Sequence, residues 1–482
     1  MGSLQEQLER YAKTEYYPFH MPGHKRNVSL LKMENPYGLD ITEIDDFDNL
    51  HLADGILKKI MDKGAAIYGS DHCYLLVNGS TAGILIGMAA CTRHKDTVIM
   101  ARNCHRSVYH GVLVNELRPV FIYPQEDREW GINKGITAAE VDNLLKKHPD
   151  AKMVIITSPT YEGILSEIEE IANLTHQYGI PLMVDEAHGA HFGLDSYFPE
   201  NSIRKGADMV IHSVHKTLPA FTQTALLHVK SKLVSQERVE RFFSVYQTSS
   251  PSYILMAGIE NSLCLVEERP DLIKDWTESL TQFYKKSEEW NCIRVLQGEK
   301  GKKDASKLIL SVQGTNITGA QLYNKLREVY HLQMEAEYVH YVIAMTSMAD
   351  TKEGFERLSR ALKEIDSGLF KREKKIEQPV CIPLKQKMTP YEAEGRPGKL
   401  IPFTESAGYI AKGFLFLYPP GIPIVVPGEV ITKELVNAVR WYEVNELSVK
   451  GFSQDKIEKH ILVIDEKETT AYNAPSGRLK NG

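Results

Sequence analysis

The chain of 482 residues is 43% hydrophobic and 25% charged with a formal net charge of −6, a composition that suits a soluble globular protein with a large core and two or three domains. Lys and Arg are scattered, which argues against a nucleic-acid surface, where a clustered basic stripe is expected, and no apolar run approaches the roughly 18 residues of a membrane span. Met1 to Gln7 has neither the basic start nor the apolar stretch of a signal peptide, and the six cysteines are dispersed without a Cys-x-x-Cys pair, so reduced thiols in a cytoplasmic protein are expected, with no disulfide scaffold and no metal site.

Along the chain, Cys73 to Val77 reads as a strand, and Asn78-Gly79-Ser80 opens a helix through Ala90. Strands follow at Thr97 to Met100, Val120 to Tyr123 and Met153 to Thr157, then a helix from Ile164 to Tyr178. Pro181 to Val184, Met209 to His212 and Gln223 to Val229 complete the strand set. Such alternation predicts an α/β fold with a mostly parallel sheet covered by helices. In such sheets ligands sit at the carboxyl ends of the strands. Asn78, Ser158, Asp185 and Ser213 all fall just after such ends.

A helical stretch from about Ser250 to Leu280 leads to a smaller α+β region. That region has a strand at Leu308 to Val312 and helices at Gly319 to Tyr330 and Lys352 to Ser367. Lys385 to Lys399 reads as an exposed connection, and Tyr418-Pro419-Pro420-Gly421-Ile422-Pro423 as rigid turn-rich backbone. From about Thr469 the chain reads as a polar tail. The expected division is 1–285 for an N-terminal segment with a major domain, and 286–482 for a small C-terminal α+β region.

The most informative pair is Asp185, closing one strand, and Lys216 in Ser213-Val214-His215-Lys216-Thr217-Leu218-Pro219 after a later one. A lysine there suits a Schiff base with the aldehyde of pyridoxal 5'-phosphate, and the aspartate suits the protonated pyridine nitrogen of that cofactor. Partial burial or a nearby cation would lower the lysine pKa toward the reactive neutral amine. The alternatives for Asp185 are a helix cap or a metal ligand with His188 and His191. Gly79, Ser80 and Thr81 suit a phosphate cradle at a helix N-terminus, with Ser213 as a further contact, or else an ordinary serine cap. His105 suits a place against the cofactor ring, or a structural histidine.

These blocks together resemble the fold-type-I ornithine/lysine/arginine decarboxylases of bacteria. The resemblance extends to His20-Met21-Pro22-Gly23-His24-Lys25, Asp40-Ile41-Thr42-Glu43 and Asp48-Asn49-Leu50-His51. It includes Arg102-Asn103-Cys104-His105-Arg106-Ser107, Ser158 to Gly163, Asp185 to Phe192, Ser213 to Ala220, Thr248 to Tyr253, and Tyr418 to Pro423 with Pro427-Gly428-Glu429. Little chain precedes His20, so the resemblance is to the short class without an N-terminal wing. It implies an aspartate-aminotransferase-like major domain and decarboxylation of a basic amino acid, arginine or lysine before ornithine, to agmatine or cadaverine. It implies Lys216, His215, Asp185 and His105 as catalytic residues. It adds Ala187 and His188 to the cofactor contacts, and Ser249 from a segment that reaches the partner subunit's phosphate in a homodimer. Lys216 or His215 would return a proton to the substrate α carbon. Glu43, Asp45, Asp46 and Asp48 form an acidic cluster that suits the distal cation of the substrate, or a solvated loop. Two departures, His51-Leu52-Ala53-Asp54-Gly55 without a proline and Tyr409 where arginine is frequent, bear on substrate preference. The rival readings are aminotransfer or elimination on the same fold, with Arg396 as the late candidate for a carboxylate clamp, and a non-catalytic regulatory paralogue.

Overall fold

The apolar runs assemble into one seven-stranded sheet: β1 (His72–Leu76), β2 (Thr97–Ala101), β3 (Arg118–Ile122), β4 (Met153–Thr157), β5 (Leu182–Asp185), β6 (Met209–His212) and β7 (Ala225–Val229). The computed structural model describes residues 10–30, 36–299, 301–372, 382–418, 421–445, 447–454 and 459–465. The spatial order is β1-β7-β6-β5-β4-β2-β3. β7 runs antiparallel to both neighbours, and the remaining pairings are parallel. Six strands therefore deliver their carboxyl ends to one edge. The central strands are buried on both faces, as parallel sheets require, and this explains their continuous Val/Ile/Leu/Met runs.

Several elements differ from expectation for physical reasons. β3 is an edge strand whose exposed and half-buried positions blur its apolar signal, so it starts two residues early at Arg118. The helix expected from Ile164 is Ile168–Gln177, because the backbone of Ile164 bridges Lys303 instead of entering a helix. The stretch from Ser250 is two helices, Tyr253–Glu268 and Pro270–Ser287. Pro270, with no N–H to donate, restarts the helix at its first turn.

A second, antiparallel sheet joins Arg294–Val295, Lys307–Ser311, Tyr341–Met345 and Ala336–Glu337. Its central strand begins at Lys307, one residue before the expected Leu308. The helices Gly319–Glu328 and Lys352–Ser367 accompany this sheet. Beyond residue 382, a separate cluster including Phe403, Leu415, Val425, Leu435, Val439 and Val463 forms the core of the smaller C-terminal part. Within the expected connection 385–399, Pro390–Glu394 is a short helix closed by a capping box between Thr389 and Glu392. Pro419, Pro420 and the tail from Thr469 lie outside the described residues.

The N-terminal segment ties the two sheets together. Tyr17–Phe19 pairs in parallel with Leu332–Met334. The Gly23 N–H donates to the His215 carbonyl at 2.6 Å. Lys25 is buried and donates to the Met345 carbonyl at 2.7 Å.

Candidate active site

At the carboxyl edge of the sheet the strand ends enclose a cavity of about 300 Å³. Its lining includes Gly79, Ser80 and Thr81 after β1, His105 after β2, Asp185, Ala187 and His188 from β5, and Ser213, His215 and Lys216 after β6. Residues spread over 138 positions thus converge because parallel strands end together. Ser249 is not among the lining residues of its own chain and sits exposed before the helix Tyr253–Glu268.

Asp185 closes β5 with its side chain buried, accepting the Ala187 N–H at 3.2 Å. Among the described residues no basic side chain pairs with it, and burial pushes its pKa up against the opposing pull of Lys216. A buried carboxylate without a partner is costly. Lys216 is carried on the short helix Val214–Thr217. Burial drives its pKa down, with Asp185 and Glu335 acting in the opposite sense.

The 13-residue helix Gly79–Cys91 has no side-chain cap at its N-terminus. Gly79 adopts φ 72°, a left-handed conformation that other residues rarely take. The Ser80 and Ser213 hydroxyls are hydrogen-bonded to each other beside it. Free N–H groups at a helix start, flanked by hydroxyls, favour an anion.

Three histidines surround the lysine, and burial holds all three neutral. His105 caps the helix Arg106–Val114, its Nδ1 accepting the Ser107 N–H, and burial with the nearby Lys216 and Arg106 pushes its pKa down to about 4. His215 donates Nδ1–H to the Thr224 carbonyl at 2.8 Å, and burial pushes it down to about 4. His188 lies between two lysines, Nε2 at 3.1 Å from Lys216 Nζ and Nδ1 at 2.6 Å from Lys307 Nζ. Burial and both cations push its pKa well down. His191 turns away to Asp304 at 3.1 Å, and among the described residues no three ligating side chains gather at one point.

Sequence reasoning missed Lys307. It donates to the Tyr161 carbonyl at 3.1 Å, and burial pushes its pKa down to about 7. The available signal was a lone charge heading the apolar run Leu308-Ile309-Leu310. It also missed Glu335, which accepts the Tyr161 hydroxyl at 2.6 Å. Of the two readings offered for the acidic cluster, the solvated loop agrees with the lining: Glu43, Asp45, Asp46 and Asp48 are not among the residues that line this cavity. Asp48 instead accepts the N–H groups of Asp54, Gly55, Leu57 and Lys58, closing the start of the helix Ile56–Tyr68.

The residues fit pyridoxal 5'-phosphate. An unpaired buried carboxylate, a partly buried lysine and an uncapped, hydroxyl-flanked helix start match its ring nitrogen, aldehyde and phosphate in turn. The model of the Orn/Lys/Arg decarboxylase major domain matches residues 3–343, and that of the C-terminal domain matches residues 375–458.

The chain belongs to the Orn/Lys/Arg decarboxylase family.

Its cofactor is accordingly pyridoxal 5'-phosphate. Among curated relatives of this decarboxylase, the arginine decarboxylase of Bacillus subtilis (strain 168) is 32% identical over 453 residues, 90% of this chain and 91% of that one. The arginine decarboxylase of Halalkalibacterium halodurans is 32% identical over 482 residues, 95% of this chain and 96% of that one. Lysine decarboxylase A from Pseudomonas aeruginosa shares the fold, with a TM-score of 0.74 at 20% identity, covering 95% of this chain and 80% of that one. Among the described residues, no helix is long and apolar enough to cross a membrane.

Proposed function

We propose that this member of the family decarboxylates L-arginine, releasing CO2 and agmatine. The observation that carries the reading is the cavity itself, where Lys216 and the unpaired Asp185 face one space that no arginine side chain lines. When bound, pyridoxal phosphate supplies an electron sink for the electron pair left on the α carbon as CO2 departs. Lys216 is the amine that would hold the cofactor through its aldehyde and would allow release of the product amine. Asp185 holds a proton on the ring nitrogen by its buried charge. The helix start at Gly79, with Ser80, Thr81 and Ser213, binds the phosphate, and Ala187 and His188 complete the contacts.

His105 covers one side of the site and excludes water, adding no charge because burial keeps it neutral. His215 donates its Nδ1–H to the Thr224 carbonyl, which leaves Nε2 an acceptor. Lys216 is therefore the better group to return a proton to the α carbon. An aminotransferase would hold the α carboxylate with an arginine, and Arg396, the late candidate, is not among the lining residues. A decarboxylase gains by leaving that carboxylate without such a clamp, since charge binding in the ground state opposes its loss.

Arginine is favoured because relatives more than 30% identical over nine-tenths of the chain carry the name arginine decarboxylase. We further read the protein as a cytoplasmic homodimer. Exposed Val28, Tyr37 and Leu52 suit burial against a second copy, which would also bring Ser249 to the neighbouring site. The test is CO2 release by the cofactor-loaded enzyme from arginine, lysine, ornithine and neutral amino acids. Release fastest from arginine supports the reading; release from no basic amino acid overturns it.

A further inference from the structure

Beside the main cavity lies a second chamber of about 140 Å³. The two share Asn103, Asn133, Glu162 and Ile422 as lining residues. A substrate whose α carbon sits near Lys216 can therefore extend its side chain past Glu162.

The chamber wall carries polar groups that no ion pair neutralises and two that meet no hydrogen-bond partner among the described residues. Glu162 is 6% exposed, and its Oε1 accepts the Tyr341 hydroxyl at 3.2 Å. No cation forms an ion pair with its carboxylate among the described residues, and burial pushes its pKa up against the opposing pull of its hydrogen bonds to Thr160 and Tyr341 and of the more distant Lys307. The Tyr338 hydroxyl is buried and meets no partner among the described residues, and the same holds for the side-chain oxygen of Asn103. The Tyr338 and Tyr341 rings stack with centroids 4.5 Å apart. Arg102, the cation of this wall, is already engaged by Glu429 at 3.1 Å and by the Pro423 carbonyl at 2.6 Å. Lys307 donates to His188 and to the Tyr161 carbonyl and forms no ion pair with Glu162. A planar cation with several N–H donors would satisfy all of these groups at once. A guanidinium has that shape, and aromatic faces favour it further.

We propose that Glu162, Tyr338 and Asn103 form the pocket for the distal guanidinium of the substrate, with Glu162 as its counter-ion. This inference rests on the arginine decarboxylase reading, which has its own test in CO2 release.

Calorimetry of the cofactor-loaded protein with agmatine and with pentylamine, which lacks the distal cation, tests the pocket. Wild type binds agmatine more tightly than pentylamine. Glu162→Gln weakens agmatine at least about thirtyfold and leaves pentylamine unchanged. Tyr338→Phe removes only the orphaned hydroxyl; it weakens agmatine about tenfold while unfolding no earlier than wild type. This second variant keeps the test decisive if Glu162→Gln fails to fold. Equal binding of the two amines by wild type, or a variant that keeps the full agmatine preference, overturns the pocket. A wild type that prefers agmatine yet releases no CO2 from arginine overturns the decarboxylase reading and leaves the pocket standing.

Discussion

Lys307 Nζ lies 2.6 Å from Nδ1 of His188, whose other ring nitrogen lies 3.1 Å from Lys216 Nζ. Lysine only donates when charged, so a charged Lys307 fixes the histidine proton on Nε2. That proton points at Lys216 and suits a neutral amine there, the form that attacks an aldehyde. Lys307 is thus a positioning residue for the cofactor lysine, reached from the second sheet.

Replacing Lys307 with Met removes both the donor and a neighbouring positive charge. The Lys216 amine then holds its proton to higher pH, and the pH at which cofactor capture is half-maximal rises. Visible absorbance during reconstitution across pH 6 to 10 reads this shift directly. Stability should respond too. Burial lowers Lys307 from near 10.5 to about 7, so within that window the unfolded chain holds a proton that the folded chain lacks. Wild type therefore gains stability as pH rises through the window, and Lys307→Met loses that gain in denaturant titrations.

Asp185→Asn keeps the shape of the site and deletes its charge. The variant should still take up cofactor, with turnover falling about a hundredfold or more, since stabilisation of charge in the transition state is a large catalytic term. Steady-state CO2 release alongside cofactor absorbance separates the two effects. Turnover near wild type would remove Asp185 from the mechanism.

Gly23 sits where a side chain cannot. A Cβ there would fall 2.8 Å from the Leu218 carbonyl oxygen and 2.9 Å from its nitrogen. Gly23→Ala must displace the backbone that follows Lys216. Cofactor affinity should drop at least about tenfold, since displacements of this order near a site are costly. Spectrophotometric titration of the apoprotein measures it.

Asp48 separates a structural role from a substrate role. Asp48→Ala strips acceptors from the start of the helix Ile56–Tyr68 and should cost about 0.5–2 kcal/mol of stability. The KM for arginine should stay where it was. A raised KM at unchanged stability would return Asp48 to the substrate site.

What the sequence made legible follows from how the fold is built. Asp185 and Lys216 stand directly after buried strands, so their place at the carboxyl edge is implied by strand-ending alone. The Gly79 cradle is local for the same reason. Lys307 opens a strand of the second sheet and Glu335 immediately precedes another, 119 and 147 positions beyond His188, and no local pattern announces such contacts. The antiparallel run of β7 was equally hidden, because a strand buried on both faces has the same apolar sequence in either direction. Asp48 stayed ambiguous because an aspartate near other acids has the same sequence signature whether it binds a cation or caps a helix.

Lys216 is the residue proposed to hold the cofactor of this cavity. Two lysines with lowered pKa compete for that place, since Lys307 reaches His188 beside Lys216. Borohydride reduction of the cofactor-loaded protein, followed by peptide mass spectrometry, distinguishes them. A pyridoxyl group is expected on Lys216 alone. A pyridoxyl group on Lys307, or none on the peptide containing Ser213 to Pro219, would contradict it.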